Sequence, residues 1–301
     1  MLQKELTYKS KDTEELLDRL ITRPVGYVIA LFSARVGLTP NMVTAFSIIS
    51  GLIASHLFLY TSLTVNLYGI FLLILSDILD SSDGQLARLT GKTSKIGRIF
   101  DGVAGNIVAI SIYIHLCLRM LDNGSGSIVI ILTIISAMFH SIQACIADYY
   151  RNIYLYYAFG NSKSELESSI NILSEYKSVS FKTDYIKKIL LGFYYSYTKQ
   201  QESLSKSFQL FNLIVHCKYK EIPGFIRTAY KMNFRPMIKY YNLLTINSRF
   251  IIIFISVLLN MPILYLLFEI IFLNIILIYV LIVHKTKFSF MSGKLIKIAL
   301  S

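Results

Sequence analysis

The chain has 301 residues, 54% of them hydrophobic, a formal net charge of +12 and a mean hydropathy of +0.55. That composition excludes an ordinary soluble domain and fits an integral membrane protein. The spacing of Cys117, Cys145 and Cys217 suits no zinc site, and the basic excess accompanies no nucleic-acid-reading helix or aromatic sheet.

The N-terminal stretch "MLQKELTYKSKDTEELLDRL" is polar and charged, with neither an apolar core nor a small-residue cleavage site, so no cleavable signal is expected. Residues 14–37 mix apolar runs with Arg19, Arg23 and Arg35, which predicts a helix lying on the membrane surface. Pro24 punctuates it, and Gly37 suits its C-terminal end. "LTPNMVT" then opens the first span, with Thr39 at the cap and Pro40 in the first turn. A helix needs about 20 apolar residues to cross the hydrocarbon core. Stretches at about 42–60, 64–83, 99–118, 128–147, 246–260 and 263–283 qualify or nearly do, giving an all-α six-span bundle. The fifth is short, and only Asn260 to Pro262 separate it from the sixth.

Residues 152–245 are mixed polar, basic and Tyr-rich. "SELESSINILSEYKS" and "KQQESLSKSFQLFNLI" have helical periodicity, broken at Pro223-Gly224 and Arg235-Pro236. A helical cytoplasmic insertion resting on the membrane face is expected. The tyrosines of 149–157 and 193–197 read as interfacial anchors. Four regions follow: a tail and juxtamembrane helix at 1–38, a core of spans one to four at 39–151, the insertion at 152–245, and spans five and six with a tail at 246–301.

Lys92, Lys95 and Arg98 lie between spans two and three, and a larger basic excess lies between spans four and five. The connections "TSLTVN" and "LDNGSGS" carry almost no positive charge. By the positive-inside rule both termini and the Asp-rich end of span two face the cytoplasm, in a bacterial inner membrane or a eukaryotic endomembrane. The basic excess also suits anionic headgroups of the bilayer.

Span two ends in carboxylates, each costing on the order of 3 kcal/mol at the bilayer centre, so they are functional candidates. Asp80 and Asp83 share a helix face, Gly84 and Ala87 remove bulk beside them, and Arg88 follows one turn after Gly84. After a short loop, Asp101 falls one turn beyond Gly97 on the next helix. Three carboxylates from two helices form a hard-cation site, favouring Mg²⁺, Mn²⁺ or Ca²⁺ over zinc. A nearby Arg and divalent cations suit phosphoryl or phosphodiester transfer.

"DSSDGQLARLTGKTSKIGRIFDGVAG" resembles the motif of the CDP-alcohol phosphotransferase family, Asp-x2-Asp-Gly-x2-Ala-Arg-x8-Gly-x3-Asp-x3-Asp. Asp80, Asp83, Gly84, Ala87, Arg88, Gly97 and Asp101 match it in identity and spacing, and the likeness covers roughly residues 20–150. The resemblance implies Asp80, Asp83 and Asp101 as ligands of two Mg²⁺ or Mn²⁺ ions. It implies a nucleotide lining of Gly84, Ala87, Arg88, Gly97 and Thr44, attack by an alcohol on a CDP-linked donor, and release of CMP. It also implies a homodimer.

The chain departs from the motif at its last position, where Gly105 stands in place of the general base and Asn106 follows. An amide takes no proton at neutral pH. Asp101, His140 and Asp148 are the catalytic candidates, with Asp77 a further possible base. His140, Gln143, Asp148 and Arg151 share a broad stripe, in which Gln143 and Arg151 would bind the acceptor. The leading expectation is phospholipid synthesis by transfer of a phosphatidyl group from CDP-diacylglycerol to an alcohol. The alternatives are transfer of a small CDP-linked head group to a lipid or glycan, and a member that binds the donor without turnover.

Overall fold

The computed structural model describes residues 12–160, 166–182 and 184–300. Residues 1–11 of the N-terminal tail, and 161–165 and 183 of the expected insertion, lie outside the described residues. Among the described residues there is no strand, and six helical runs are long and apolar enough to cross a membrane. Five of the expected spans fall on single helical runs, and the fifth belongs to a broken run, Gly224–Leu258.

The surface helix begins with a π turn, Asp18–Thr22, and continues as α1, Arg23–Arg35. Pro24 explains the turn. Its ring has no N–H and crowds the carbonyl four residues back, and the wider turn relieves this, with Arg23 N donating to Asp18 O. Gly37, at φ 76°, ends the helix as its sequence position suggested, and Leu38 N donates to Ser33 O at 2.9 Å. Thr39 then caps α2, Pro40–Leu57, accepting from Met42 N at 3.4 Å.

The chain divides into two compact units. The first runs through His140 and includes Ile246–Ile270. In it α2 packs against α3, Leu63–Leu89, and against α4, Lys95–Asp122. Small residues on α2 permit this. A Cβ on Gly51 would lie 2.7 Å from both Val108 methyls and 2.9 Å from Ser76 Oγ. Ser47 Oγ donates to Ser76 O and Ser76 Oγ to Ser47 O, both at 2.8 Å, and Ser50 Oγ donates to Leu72 O at 2.8 Å. Such short-side-chain bonding draws helices together where apolar burial gives no drive.

Helix α5, Ile128–Phe159, begins in this unit. At 1.5 Å per residue its 32 residues span about 48 Å, more than the hydrocarbon core of about 30 Å. A core of Phe58, Leu73, Leu116, Met120, Ile253, Tyr265 and Leu266 fills the interior. At the end remote from the Asp-rich segment, fully buried Arg119 donates to Phe58 O at 3.1 Å, Asn66 Oδ1 at 3.3 Å, Val257 O at 3.3 Å and Asn260 Oδ1 at 2.8 Å. Desolvation of that guanidinium is offset by five bonds to neutral acceptors, the fifth from Nε to Asn260 Oδ1 at 3.1 Å.

The second unit, Ser141–Thr245 with Ile271–Ser301, is built on α6, Ser169–Ser178; α7, Tyr185–Leu204; α8, Lys206–Lys218; α9, Gly224–Phe234; and α10, Ile238–Leu243. In unit one, α11 is Ile246–Leu258 and α12 is Ile263–Leu267. A π turn, Phe268–Phe272, leads into α13, Leu273–Leu300. The core of the second unit is aromatic. Tyr157 stacks on Tyr230 at 4.9 Å, Tyr150 on His284 at 3.6 Å, and Phe234 on Phe288 at 4.8 Å. This corrects the reading of the 149–157 tyrosines as interfacial anchors: Tyr149, Tyr150, Tyr154 and Tyr157 are buried inside the protein. Helices α8 and α9, and His284 of α13, supply ring faces that cover them.

Candidate metal centre

Helix α3 carries Asp80 and Asp83 to its end, where Gly91, at φ 66°, turns the chain and Gly91 N donates to Arg88 O. Ser94 caps the next helix by accepting from Gly97 N at 2.9 Å, and α4 then presents Asp101. Helix α2 packs against both α3 and α4, and the carboxylates of these two helices meet at this end of the unit. One oxygen from each of Asp80, Asp83 and Asp101 lies within 4.8 Å of the others.

Three like charges at that spacing require a countercharge, and their desolvation costs several kcal/mol each without one. Ligand oxygens on a single hard cation lie about 3–4 Å apart, given metal–oxygen distances near 2.1 Å. The donor set, all oxygen, therefore suits a hard divalent cation.

The surrounding side chains orient this cluster. Thr44 Oγ1 on α2 makes a short hydrogen bond to Asp83 Oδ2 and lies 3.1 Å from Pro40 O. Arg88 folds back along its own helix, so that a Cβ on Gly84 would stand 3.6 Å from its Nη1. Gly97 sits against the Ser94 cap, with Asn41 Oδ1 3.8 Å from the position of its absent Cβ. Ala87 is half-buried on the same helix. The surface helix also reaches this end of α3: Thr22 Oγ1 donates to Asp77 Oδ2 at 3.2 Å and Gln85 Nε2 to Arg23 O at 3.2 Å. Glu14 lies 3.7 Å from Arg23, and burial pushes its carboxyl up from the usual range while Arg23 and Arg88 oppose the shift. Asp77 thus bonds to the surface helix.

At position 105 a Cβ would meet nothing within 4 Å. The Asn106 amide turns back along α4, its Nδ2 donating to Gly102 O at 2.8 Å. His140 stands elsewhere in the first unit. Its Nδ1 lies 3.2 Å from Tyr113 Oη and 3.7 Å from Glu269 Oε1. Tyr113 follows Asp101 by twelve residues, about 18 Å along α4. Gln143, Asp148 and Arg151 belong to the second unit. There Gln143 Nε2 donates to Asn274 Oδ1 at 3.0 Å and Arg151 Nη2 to Asn242 Oδ1 at 3.2 Å. Asp148 accepts from Asn152 at 3.0 Å and from Tyr197 Oη and Gln201 Nε2 at 3.4 Å. The structure thus brings Thr44, Asp80, Asp83 and Asp101 together and gives His140 a different set of neighbours.

Sequence reasoning missed one polar group. Arg249 Nε donates to Glu269 Oε1 at 2.7 Å, with side chains 2% and 0% exposed, and Tyr265 Oη donates to Tyr113 Oη at 3.1 Å beside them. The signal was present as single charges inside two apolar runs. The pairing was not, because the break at Asn260–Pro262 sets how α11 and α12 face each other.

Residues 37–155 match the family model described as CDP-alcohol phosphatidyltransferase. No curated protein and no solved structure matches the chain. The matched segment runs from the turn after α1 into α5 and contains the whole Asp cluster. That family consists of transferases that move a phospho-alcohol group from a CDP-linked donor to an alcohol acceptor and generally depend on divalent metal.

Proposed function

We propose that this multi-pass membrane protein transfers a phosphatidyl group from CDP-diacylglycerol to a polar alcohol and releases CMP. The observation that carries the reading is the convergence of Asp80, Asp83 and Asp101, with Thr44 bonded to Asp83, inside the segment that matches the family. The basic loops beside this end of the bundle support a cytoplasmic site, reached by a water-soluble nucleotide moiety from one side and lipid tails from the other.

In this reading Asp80, Asp83 and Asp101 hold the cations, and Thr44 fixes the rotamer of Asp83. The bound cations would neutralise the diphosphate and stabilise the oxygen that leaves with CMP. Arg88 faces the diphosphate, and Gly84, Ala87 and Gly97 leave the backbone open to the nucleotide. The alcohol oxygen bonds to phosphorus as the bond to CMP breaks, and the hydroxyl proton must depart. Position 105 offers it no carboxylate and Asn106 offers no base, so we propose slow transfer.

The same open position favours a second reading, a donor-binding protein without turnover. The test is Mg²⁺- or Mn²⁺-dependent CMP release from CDP-diacylglycerol with a panel of alcohols. Turnover abolished by Asp101→Asn supports transfer. Metal-dependent donor binding with no CMP release supports the second reading. If neither binding nor release occurs, CDP-diacylglycerol is the wrong donor, and water-soluble CDP esters replace it.

A further inference from the structure

The second unit contains a cleft of about 320 Å³, lined by no residue of the transfer site. Tyr156 near the end of α5, His216 on α8, Lys220 and Glu221 in the following loop, and Arg227 on α9 form its walls. Pockets for small ligands run from about 300 to 1,000 Å³, so this one suits a headgroup and not a whole lipid.

Its polar groups are pre-positioned. Arg227 Nε donates to Ile222 O at 3.2 Å, which anchors one edge of the guanidinium to the backbone and fixes the direction of its fork. Tyr156 Oη and His216 Nε2, both of lining residues, lie 3.1 Å apart. Glu221 is the one acid among the lining residues. Arg227 and Lys220 with a hydroxyl and an imidazole are the groups that hold a phosphate.

Apolar side chains stand at the same part of the unit. Phe225, two residues before Arg227, is 55% exposed and meets Tyr219 edge-on at 6.1 Å. Leu213, one turn before His216, is 60% exposed. Basic groups with exposed aromatic and aliphatic neighbours suit a bilayer surface, where the charge meets headgroups and the apolar groups meet acyl chains.

We propose that this cleft binds a phosphate group, brought either by an anionic lipid headgroup or by free phosphate. It is independent of the transferase reading, because none of the Asp cluster lines it. The test uses the full-length protein in uncharged detergent. One arm measures phosphatidic acid against phosphatidylcholine in doped micelles by native mass spectrometry. The other measures radiolabelled inorganic phosphate by equilibrium dialysis.

The double variant Lys220→Gln/Arg227→Gln weakens binding roughly tenfold or more, from the loss of charge-assisted bonds. Glu221→Gln tightens it, a change that damage to the fold does not produce. A charge-matched pair outside the cleft, Lys199→Gln/Lys206→Gln, stays within about twofold of the natural chain on the same scale. Binding of phosphatidic acid alone assigns a lipid source, and equal binding of inorganic phosphate assigns a free one. The proposal is overturned if neither probe binds, if the double variant binds as the natural chain does, or if the outside pair loses as much.

Discussion

Placing a carboxylate at position 105 tests the site most directly. Position 105 follows Asp101 by four residues, so it lies on the same face of α4 about 6 Å further on. A Cβ there meets nothing within 4 Å, so Gly105→Asp requires no repacking. Helix propensity favours Asp over Gly by a few tenths of a kcal/mol, which keeps the fold intact. A positioned general base contributes about 10²–10⁴-fold, or about 2.7–5.4 kcal/mol of barrier. Gly105→Asp should therefore release CMP from CDP-diacylglycerol at least about 100-fold faster than the natural chain at saturating Mn²⁺. Adding Asp101→Asn should abolish the gain if, as proposed, Asp101 helps hold the cations that bind the donor. The assay is single-turnover CMP release, with melting temperature and Mn²⁺ affinity measured on the same preparations. If Gly105→Asp is folded, binds Mn²⁺ and the donor as the natural chain does, and is no faster, the open position is not what limits transfer and the reasoning fails.

On the proposal that Asp83 ligates the cation, Thr44→Val should lower Mn²⁺ affinity about 10–100-fold, since Thr44 bonds to and orients Asp83. Thr44→Ser should restore it, and a Mn²⁺ titration followed by electron paramagnetic resonance that gives the valine variant unchanged affinity would refute the role. Arg249→Met leaves Glu269 buried without its cation and should cost about 3–5 kcal/mol of stability in detergent. Arg249→Met/Glu269→Leu should recover most of that loss; a single variant no less stable than the double one contradicts the buried-pair argument. Gly51→Ala should destabilise by about 1–3 kcal/mol, because its Cβ would overlap Val108. Val108→Ala in the same chain should relieve the overlap, while Gly105→Ala should be neutral or slightly stabilising; thermal unfolding checks all three.

Much of the architecture was legible. The Pro24 and Gly37 punctuation and the Thr39 cap all act within one turn of the chain, and each governs the local backbone as its chemistry requires. The Asp80, Asp83 and Asp101 spacing was also readable, because a helical period fixes which residues share a face and a short loop brings the next helix back. The tyrosines of 149–157 were misread because an amphipathic aromatic run looks alike at a bilayer interface and under a protein layer. Only the presence of α8, α9 and α13 over Tyr150, Tyr154 and Tyr157 separates the two. His140, Asp148 and Arg151 share a stripe of α5; His140 lies 3.2 Å from Tyr113 Oη, Asp148 bonds to Asn152, and Arg151 bonds to Asn242.

The sequence by itself determined the six apolar helical runs, the spacing of Asp80, Asp83 and Asp101 and the glycine at 105, since each depends on residue type and on the 3.6-residue repeat. Tertiary structure decided that Thr44 meets Asp83, that Arg249 meets Glu269, and that the space beside Gly105 is open. A helix face can be rotated against several neighbours with similar burial of its apolar side chains. The pairing actually made is selected by which small residues let backbones approach, such as Gly51 against Val108, and by which buried polar groups then find partners.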